Sequence, residues 1–181
     1  MSQKLSHSGG HRVVRLIDRK FKHHILRYVL QCLLATAAMM TLLAAMSAMA
    51  PTVLIAALGA SAFIAFTMPQ AHVSETRYLV GGYTVGIAVG ICLSLVNRWA
   101  WLDSAGLDDH LTQIVLGGLS VGVAIFLMVI TDTEHPPAAG VALGLVVNDR
   151  WDSWTILVLL CAVGLLCVVK RLLKPLLKDL L

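Results

Sequence analysis

Charged residues are scarce in this chain, and their scarcity excludes a soluble protein. Asp, Glu, Lys and Arg make up 13 % of the 181 residues, whereas hydrophobic residues make up 58 %. A typical soluble domain has roughly 25 % charged and about 45–50 % apolar residues. A soluble domain of this size could not bury so much apolar surface, and a disordered chain would need the opposite composition. The composition therefore predicts an integral membrane protein.

Several sequence motifs that are typical of enzymes, metal sites and proton pumps are also missing. The four cysteines form no CxxC pair, which excludes a zinc knuckle and a thiol redox motif. No GxSxG or HExxH motif supports a hydrolase. The apolar stretches contain no carboxylate near their centres, so the buried acids that proton pumps use are absent. Asp132, Glu134 and His135 come closest to a metal cluster, but such neighbouring positions converge poorly on one ion. We expect no enzyme, no cofactor and no metal site.

The cations are concentrated at the two ends of the chain. Seven of the 14 Lys and Arg residues lie in residues 1–27, and four more lie between Lys170 and Lys178. Basic flanks orient membrane spans, and neither flank resembles a nucleic-acid-binding module, so we expect no nucleic-acid partner. Residues 12–26 predict a basic amphipathic helix on the surface of the lipid bilayer, although an extension of the first span explains them equally well. The positive ends predict a bacterial inner-membrane protein with both termini in the cytoplasm.

Six apolar stretches predict six membrane segments. They are residues 28–49, 52–68, 78–96, 112–130, 137–147 and 154–173. Because a crossing needs roughly 20 residues, the first, third, fourth and sixth qualify and the second is slightly short. The fifth would reach only about 16 Å. It is either a re-entrant half-helix or a short span enclosed by protein, because its backbone ends must not face lipid.

An acidic loop at residues 97–111 divides these segments into two sets of three. An odd number of segments in each set would make the two halves antiparallel, as in inverted-repeat transporters. The predicted fold is therefore an all-α polytopic bundle with short or re-entrant middle helices. Its predicted parts are a basic N-terminal segment (1–27), a transmembrane domain (28–175) and a cytoplasmic tail (176–181).

Glycines at intervals of four residues mark faces where helices could pack closely. They are Gly82, Gly86 and Gly90 in the third segment, Gly118 and Gly122 in the fourth, and Gly140 and Gly144 in the fifth. Small residues let helix backbones approach each other in lipid. We favour helix packing, or association into a homo-oligomer, over the lining of a pore.

The tripeptide His135-Pro136-Pro137 is the most specific feature of the sequence. Pro136 favours an extended conformation at His135, and Pro137 suits the first turn of a helix. Small residues follow from Ala138 onward, so the amide groups at this helix start could bind an anion, and His135 could add a donor. Alternatively, the prolines only start a short helix. Nearby carboxylates would repel an anion unless they pair with Arg77.

Two segments resemble the HPP family of integral membrane proteins. TDTEHPPAAGVALGLV (131–146) is similar to the family signature, and GASAFIAFTMP (59–69) followed by TRYLVGGY (76–83) is similar to a second family block. Tyr83 stands where a histidine is frequent. The positions carried over are Gly59, Ala60, Ser61, Pro69, Arg77, Gly81, Gly82, His135, Pro136 and Pro137. The resemblance implies a compact multi-span protein, and plant and cyanobacterial relatives are implicated in nitrite transport.

These observations lead to a functional hypothesis. The protein is expected to be a transporter or channel for a small solute, and the favoured solute is a monovalent anion such as nitrite. The expected binding residues are Gly59, Ala60, Ser61, Arg77, His135, Pro136, Pro137 and Ala138. Ser61 and backbone amides would replace the hydration of the ion, Arg77 would attract it, and His135 would donate a hydrogen bond. The alternative is a non-transporting scaffold or sensor subunit that assembles through the glycine faces. Channel or carrier action and coupling to protons stay open.

Overall fold

Six α-helices account for most of the residues that the computed structural model describes, which are 19–46, 52–97, 109–148 and 151–180. The helices are α1 (Arg19–Met46), α2 (Thr52–Thr67), α3 (Thr76–Asn97), α4 (Asp109–Ile130), α5 (Pro136–Val147) and α6 (Ser153–Leu173). A 3-10 turn, His72–Ser74, connects α2 to α3. The described residues contain no strand, and the predicted all-α class is confirmed.

Three helices in the described part of the chain are long and apolar enough to cross a membrane: α3, α4 and α6. The sequence predicted four such spans. The described apolar part of α1 is Ile25–Thr41, so the first of the four spans stays a prediction. α1 runs without a break from Arg19, so the described part of the basic stretch extends this helix. Residues 12–18 of the predicted surface helix and residues 98–108 of the acidic loop lie outside the described residues.

Local sequence signals explain where α5 and α6 begin. Pro136 and Pro137 occupy the first turn of α5, and His135 before them is extended (φ −137°, ψ 94°), as expected for a residue that precedes proline. Asp152 caps α6, because its carboxylate accepts a hydrogen bond from the amide of Thr155 at 2.8 Å. The hydrogen bonds from Thr155 hold the pKa of Asp152 below its ordinary value.

The short helix α5 lies at the centre of the bundle. It contacts α2, α3 and α4, and eight of its twelve residues are buried. With about 1.5 Å per residue, α5 is about 18 Å long, well short of the roughly 30 Å hydrocarbon core. Surrounding helices therefore enclose it, as a helix too short to reach both membrane surfaces requires.

Glycines on α3 allow the close approach of α5. A methyl group at Gly86 would overlap the carbonyl oxygen of Ala138, and one at Gly90 would lie 2.9 Å from the Cβ of Leu145. Gly82 faces the start of α5 in the same way. The predicted packing role of these three glycines thus corresponds to a real contact between α3 and α5. Gly144 makes a similar contact with α2.

Three other glycines do not pack as predicted. No atom of the described chain lies within 4 Å of the position that a Cβ would take at Gly118, Gly122 or Gly140. In α4 the inward-facing glycine is instead Gly117, where a Cβ would lie 3.0 Å from a methyl carbon of Leu143. The face marked by Gly118 and Gly122 therefore meets no other described helix, and the inward position of α4 is one residue earlier, at Gly117. An association between copies through Gly118 and Gly122 stays a prediction.

The segment after α6 packs against the bundle as far as Leu180, although the sequence predicted a tail at residues 176–181. The side-chain amide of Gln31 in α1 donates hydrogen bonds to the carbonyl of Phe66, at 2.7 Å, and to that of Lys178, at 2.9 Å. Leu180 is itself buried. Gln31 therefore connects α1 to the end of α2 and to the C-terminal segment through hydrogen bonds.

Replacing Gln31 with alanine should lower the free energy of unfolding by about 1–3 kcal/mol, because two carbonyl groups lose their donor in a buried place. Unfolding of the purified protein by SDS in mixed micelles measures the change. Cys32→Ala alters an exposed neighbour on the same helix, and it should stay within about 0.5 kcal/mol of the original protein. Equal stability of the two variants would contradict the connecting role of Gln31.

Candidate functional site

The loop before α5 runs along the glycine face of α3. A Cβ at Gly81 would lie 2.5 Å from the methyl carbon of Thr133, and a Cβ at Gly82 would lie 2.6 Å from the Cβ of His135. A larger residue at either position would push the loop away. His135 therefore lies level with Gly82, about 9 Å inside the start of α3 at Thr76 if each helical residue rises about 1.5 Å.

His135 lies in a buried hydrogen-bond network that connects three parts of the chain. Its Nε2 atom is 2.8 Å from the hydroxyl oxygen of Ser61 in α2, and its Nδ1 atom is 2.8 Å from the carbonyl oxygen of Val73. The Ser61 oxygen is also 2.8 Å from the hydroxyl of Tyr83 in α3. The side chains of His135, Ser61 and Tyr83 are all fully buried. We call these three residues the HSY network.

The partners fix the direction of the hydrogen bonds. Because the Val73 carbonyl can only accept, Nδ1 of His135 carries the proton of the neutral ring and donates it. Nε2 then accepts from the hydroxyl of Ser61, whose oxygen accepts in turn from the hydroxyl of Tyr83. If His135 gained a second proton, Nε2 would donate to Ser61, and the Ser61 hydroxyl could turn to the carbonyl of Ala57 at 3.1 Å. The HSY network can therefore hold a proton without leaving a donor unpaired.

A serine hydrogen-bonded to a histidine is also the pairing of a hydrolase. Here the oxygen of Ser61 is already in contact with three groups, namely Tyr83, His135 and the carbonyl of Ala57. The side chain is fully buried, so a substrate carbonyl has no space beside that oxygen. The geometry favours hydrogen bonding over nucleophilic attack.

A small pocket borders His135 on the side of α4. Its volume is about 250 Å³, and its walls include Met128, Glu134, His135, Pro136 and Ala139. This volume lies below the roughly 300–1,000 Å³ of sites for drug-sized ligands. The pocket is therefore suited to a solute of a few atoms, and Glu134 is the one carboxylate among the described residues that line it.

The structure brings only some of the predicted binding residues together. Ser61 and His135 are in direct contact, and Pro136 lines the adjacent pocket. Gly59 and Ala60 do not reach this place: Ala60 is exposed, and no described atom lies within 4 Å of a Cβ built on Gly59. Each helical residue turns the chain by about 100°, so an inward Ser61 leaves its two predecessors on other faces of α2.

The start of α5 does not offer the bare amides that the sequence suggested. Pro136 and Pro137 have no N–H group. The amide of Ala138 donates to the carbonyl of His135 at 2.9 Å, and Ala138 is fully buried. The first three positions of α5 therefore present no free amide to an ion, contrary to the expectation. Side chains, and His135 first of all, remain as the candidate ligand-binding groups of this site.

Arg77 forms an ion pair with Asp132 and is therefore not a free cation. Its guanidinium Nη2 is 2.9 Å from a carboxylate oxygen of Asp132, and both side chains are more than half exposed. This pairing is the one that the sequence left open as a way to remove a carboxylate from the path of an anion. It also neutralises the charge that would have attracted the anion.

Tyr83 is the residue of the candidate site that the sequence reasoning did not name as a binding residue. It follows Gly81 and Gly82 in the second family block, at the position where a histidine is frequent. The presence of tyrosine in place of histidine was the available signal of a hydrogen-bonding role, because a hydroxyl and an imidazole can both form hydrogen bonds there. The partner of Tyr83, Ser61, lies 22 residues away in the chain, and no local pattern could have revealed it.

The stretches that carry the family resemblance therefore meet at one site. Residues 59–69 supply Ser61, residues 76–83 supply the glycine pair and Tyr83, and residues 131–146 supply His135. An apolar helical bundle built around such a network defines a multi-span membrane protein. The chain belongs to the HPP family, since the family model named HPP, transmembrane region, matches residues 20–177. No curated protein and no solved structure matches the chain. The resemblance inferred from the motifs is thus confirmed.

Proposed function

We propose that this HPP-family protein moves a small solute across the membrane and that the solute is a monovalent anion such as nitrite. The observation that carries the proposal is the fully buried HSY network beside a small pocket. Burying polar groups costs free energy, and an ionisable residue inside a lipid-embedded bundle marks a functional site more often than a packing need. Apolar side chains would pack α2 against α5 at lower cost.

The chemistry of the HSY network suits a small anion. Each of its three side chains can donate a hydrogen bond and none is a carboxylate, so an anion could accept these hydrogen bonds once those within the network open. The Ser61–His135 contact joins α2 to α5, so a solute in the pocket beside His135 could exchange hydrogen bonds with groups of both helices. Glu134 works against an anion in the pocket. We therefore expect Glu134→Gln to accelerate the entry of an anion.

Flux measurements in proteoliposomes test the proposal. Vesicles that contain the purified protein should take up nitrite faster than empty vesicles, and Glu134→Gln should increase the uptake further. Sulfate serves as the control solute, because no Lys or Arg among the described residues lines the pocket and the second charge of a divalent anion makes its desolvation much more costly, so it should not enter. Uptake of nitrite no faster than in empty vesicles would end the proposal.

A non-transporting scaffold or sensor subunit is the second candidate. The observation in its favour is the exposed pair Gly118 and Gly122 on α4, which contacts no other described part of the chain. Such a face could join two copies in a homo-oligomer. Cross-linking of Gly118→Cys protein in vesicles, together with an absence of flux, would favour the scaffold.

The orientation in the membrane is part of the same proposal. The distribution of Lys and Arg supports a bacterial inner membrane with both termini in the cytoplasm. Labelling of single cysteines near each end by a membrane-impermeant reagent would reveal the orientation, once the four native cysteines have been replaced.

A further inference from the structure

A second and much larger cavity shares no lining residue with the pocket beside His135. It is a groove of about 1050 Å³ at the end of the bundle where α2 ends, α3 begins and α6 ends. Three cations line it: Lys170 and Arg171 in the last turn of α6, and Lys174 directly after the helix. We call this cavity the basic groove.

The basic groove lies at the depth of lipid headgroups. The apolar span of α6 ends at Leu173 and that of α3 begins at Thr76, and both residues are adjacent to the groove or in its wall. At this level the hydrocarbon core gives way to the phosphate groups of the bilayer. Basic pockets between helices at this level are known to bind anionic headgroups.

The cations of the basic groove lack a carboxylate partner. Lys170 is only 9 % exposed, and its ammonium donates to the carbonyl of Ser74. Among the described residues, no carboxylate oxygen lies within 4.0 Å of the three cations. Glu75, which also lines the groove, has its carboxylate 3.4 Å from His72. A buried charge without a counter-ion is costly, so the groove has the electrostatics of an anion site.

Ser74 provides an independent sign of a missing partner. Its hydroxyl oxygen is buried and has no hydrogen-bond partner among the described residues, and the carbonyl of the same residue accepts from Lys170. The residue whose carbonyl accepts from the buried ammonium thus also has an unpaired hydroxyl, and it directly precedes Glu75 in the wall of the groove. The negative end of the α6 dipole explains why cations collect in the last turn, but it explains neither the burial of Lys170 nor the unpaired hydroxyl of Ser74.

We infer that the basic groove binds a phosphate group, with Lys170, Arg171 and Lys174 as its donors. The phosphate belongs either to the headgroup of an anionic phospholipid or to free phosphate. The apolar wall formed by Pro69, Cys167 and Pro175 favours the phospholipid, because the glycerol part of the lipid can pack there. This site is separate from the route proposed for nitrite.

The thermal unfolding midpoint of the full-length protein in a neutral detergent tests the inference. Phosphatidylglycerol should raise the midpoint, whereas phosphatidylcholine, whose headgroup is neutral overall, should have little effect. The double variant Arg171→Gln/Lys174→Gln should weaken the apparent affinity for phosphatidylglycerol by about tenfold or more, because it removes two charged hydrogen-bond donors. It leaves the buried Lys170 in place, so the protein should still fold.

Lys178→Gln is the matched control. Lys178 is an exposed cation of the same C-terminal segment and does not line the basic groove, so its loss should leave the affinity unchanged. A response to phosphatidylglycerol but not to inorganic phosphate supports a lipid site. A response to inorganic phosphate that the double variant abolishes supports a site for the free ion. Equal responses to the two lipids, or equal affinities of the double variant and Lys178→Gln, would overturn the inference. None of these outcomes depends on nitrite flux.

Discussion

Nitrite uptake by proteoliposomes should fall to the level of empty vesicles when His135 is replaced with alanine. His135 is the one group that borders the small pocket and also belongs to the HSY network. Its loss removes the only imidazole at the site and leaves the backbone carbonyl of Val73 without its donor. His72→Ala is the matched control, because the side chain of His72 is 86 % exposed on the nearby 3-10 turn and touches no part of the network.

His135→Gln separates two roles of the imidazole. Glutamine keeps a donor and an acceptor but takes up no proton, so uptake that persists in this variant assigns His135 to hydrogen bonding. Loss of uptake in both His135 variants assigns it to proton handling. An increase in uptake with His135→Ala would contradict the binding role, because it would mean that His135 closes the route. Each variant must unfold at a temperature close to that of the original protein for the comparison to hold.

The positions of the helices were predictable because the membrane imposes a simple rule on the sequence. Each apolar stretch must satisfy its backbone hydrogen bonds internally, and a helix is the way to do so. The apolar stretches from residue 52 onward therefore coincide closely with helices α2 to α6. α1 was the exception, since its helix begins well before its apolar part. A basic stretch can continue a helix beyond its apolar part, so the apolar run alone does not show where such a helix begins.

The candidate site was predictable only where a residue stood in a distinctive motif. His135 and Ser61 were named from their motifs, and the structure brings them together across 74 residues of sequence. The pairing of Arg77 with Asp132 and the contact of Tyr83 with Ser61 depend on how α2, α3 and the loop before α5 meet in three dimensions. The predicted amide site at the start of α5 was wrong for a local reason, because prolines remove the donors that the helix dipole argument requires.

The sequence also could not predict which neighbouring helix, if any, the glycine-rich face of a helix would contact. Gly86 and Gly122 stand in patterns of identical spacing, yet Gly86 contacts the backbone of α5 and Gly122 contacts nothing within 4 Å. A spacing of four residues defines a stripe along one helix. It does not define which neighbour, if any, the stripe meets.

Gly86→Ala should therefore destabilise the protein strongly, by about 3 kcal/mol in the free energy of unfolding. A methyl group at this position would overlap the carbonyl oxygen of Ala138. That atom belongs to the backbone and has no flexible side chain that could move aside. α3 and α5 would have to separate, and His135, three residues before Ala138, would shift away from Ser61.

Gly122→Ala in α4 is the matched control, and we expect it to cause no loss of stability. Its new methyl group would meet no described atom within 4 Å, and alanine favours the helix over glycine by up to about 1 kcal/mol. This variant should be as stable as the original protein or slightly more so. Unfolding by SDS in mixed micelles compares the two variants directly. If Gly86→Ala proved as stable as Gly122→Ala, α3 and α5 could not be in backbone contact, and the position of His135 beside Ser61 would lose its structural support.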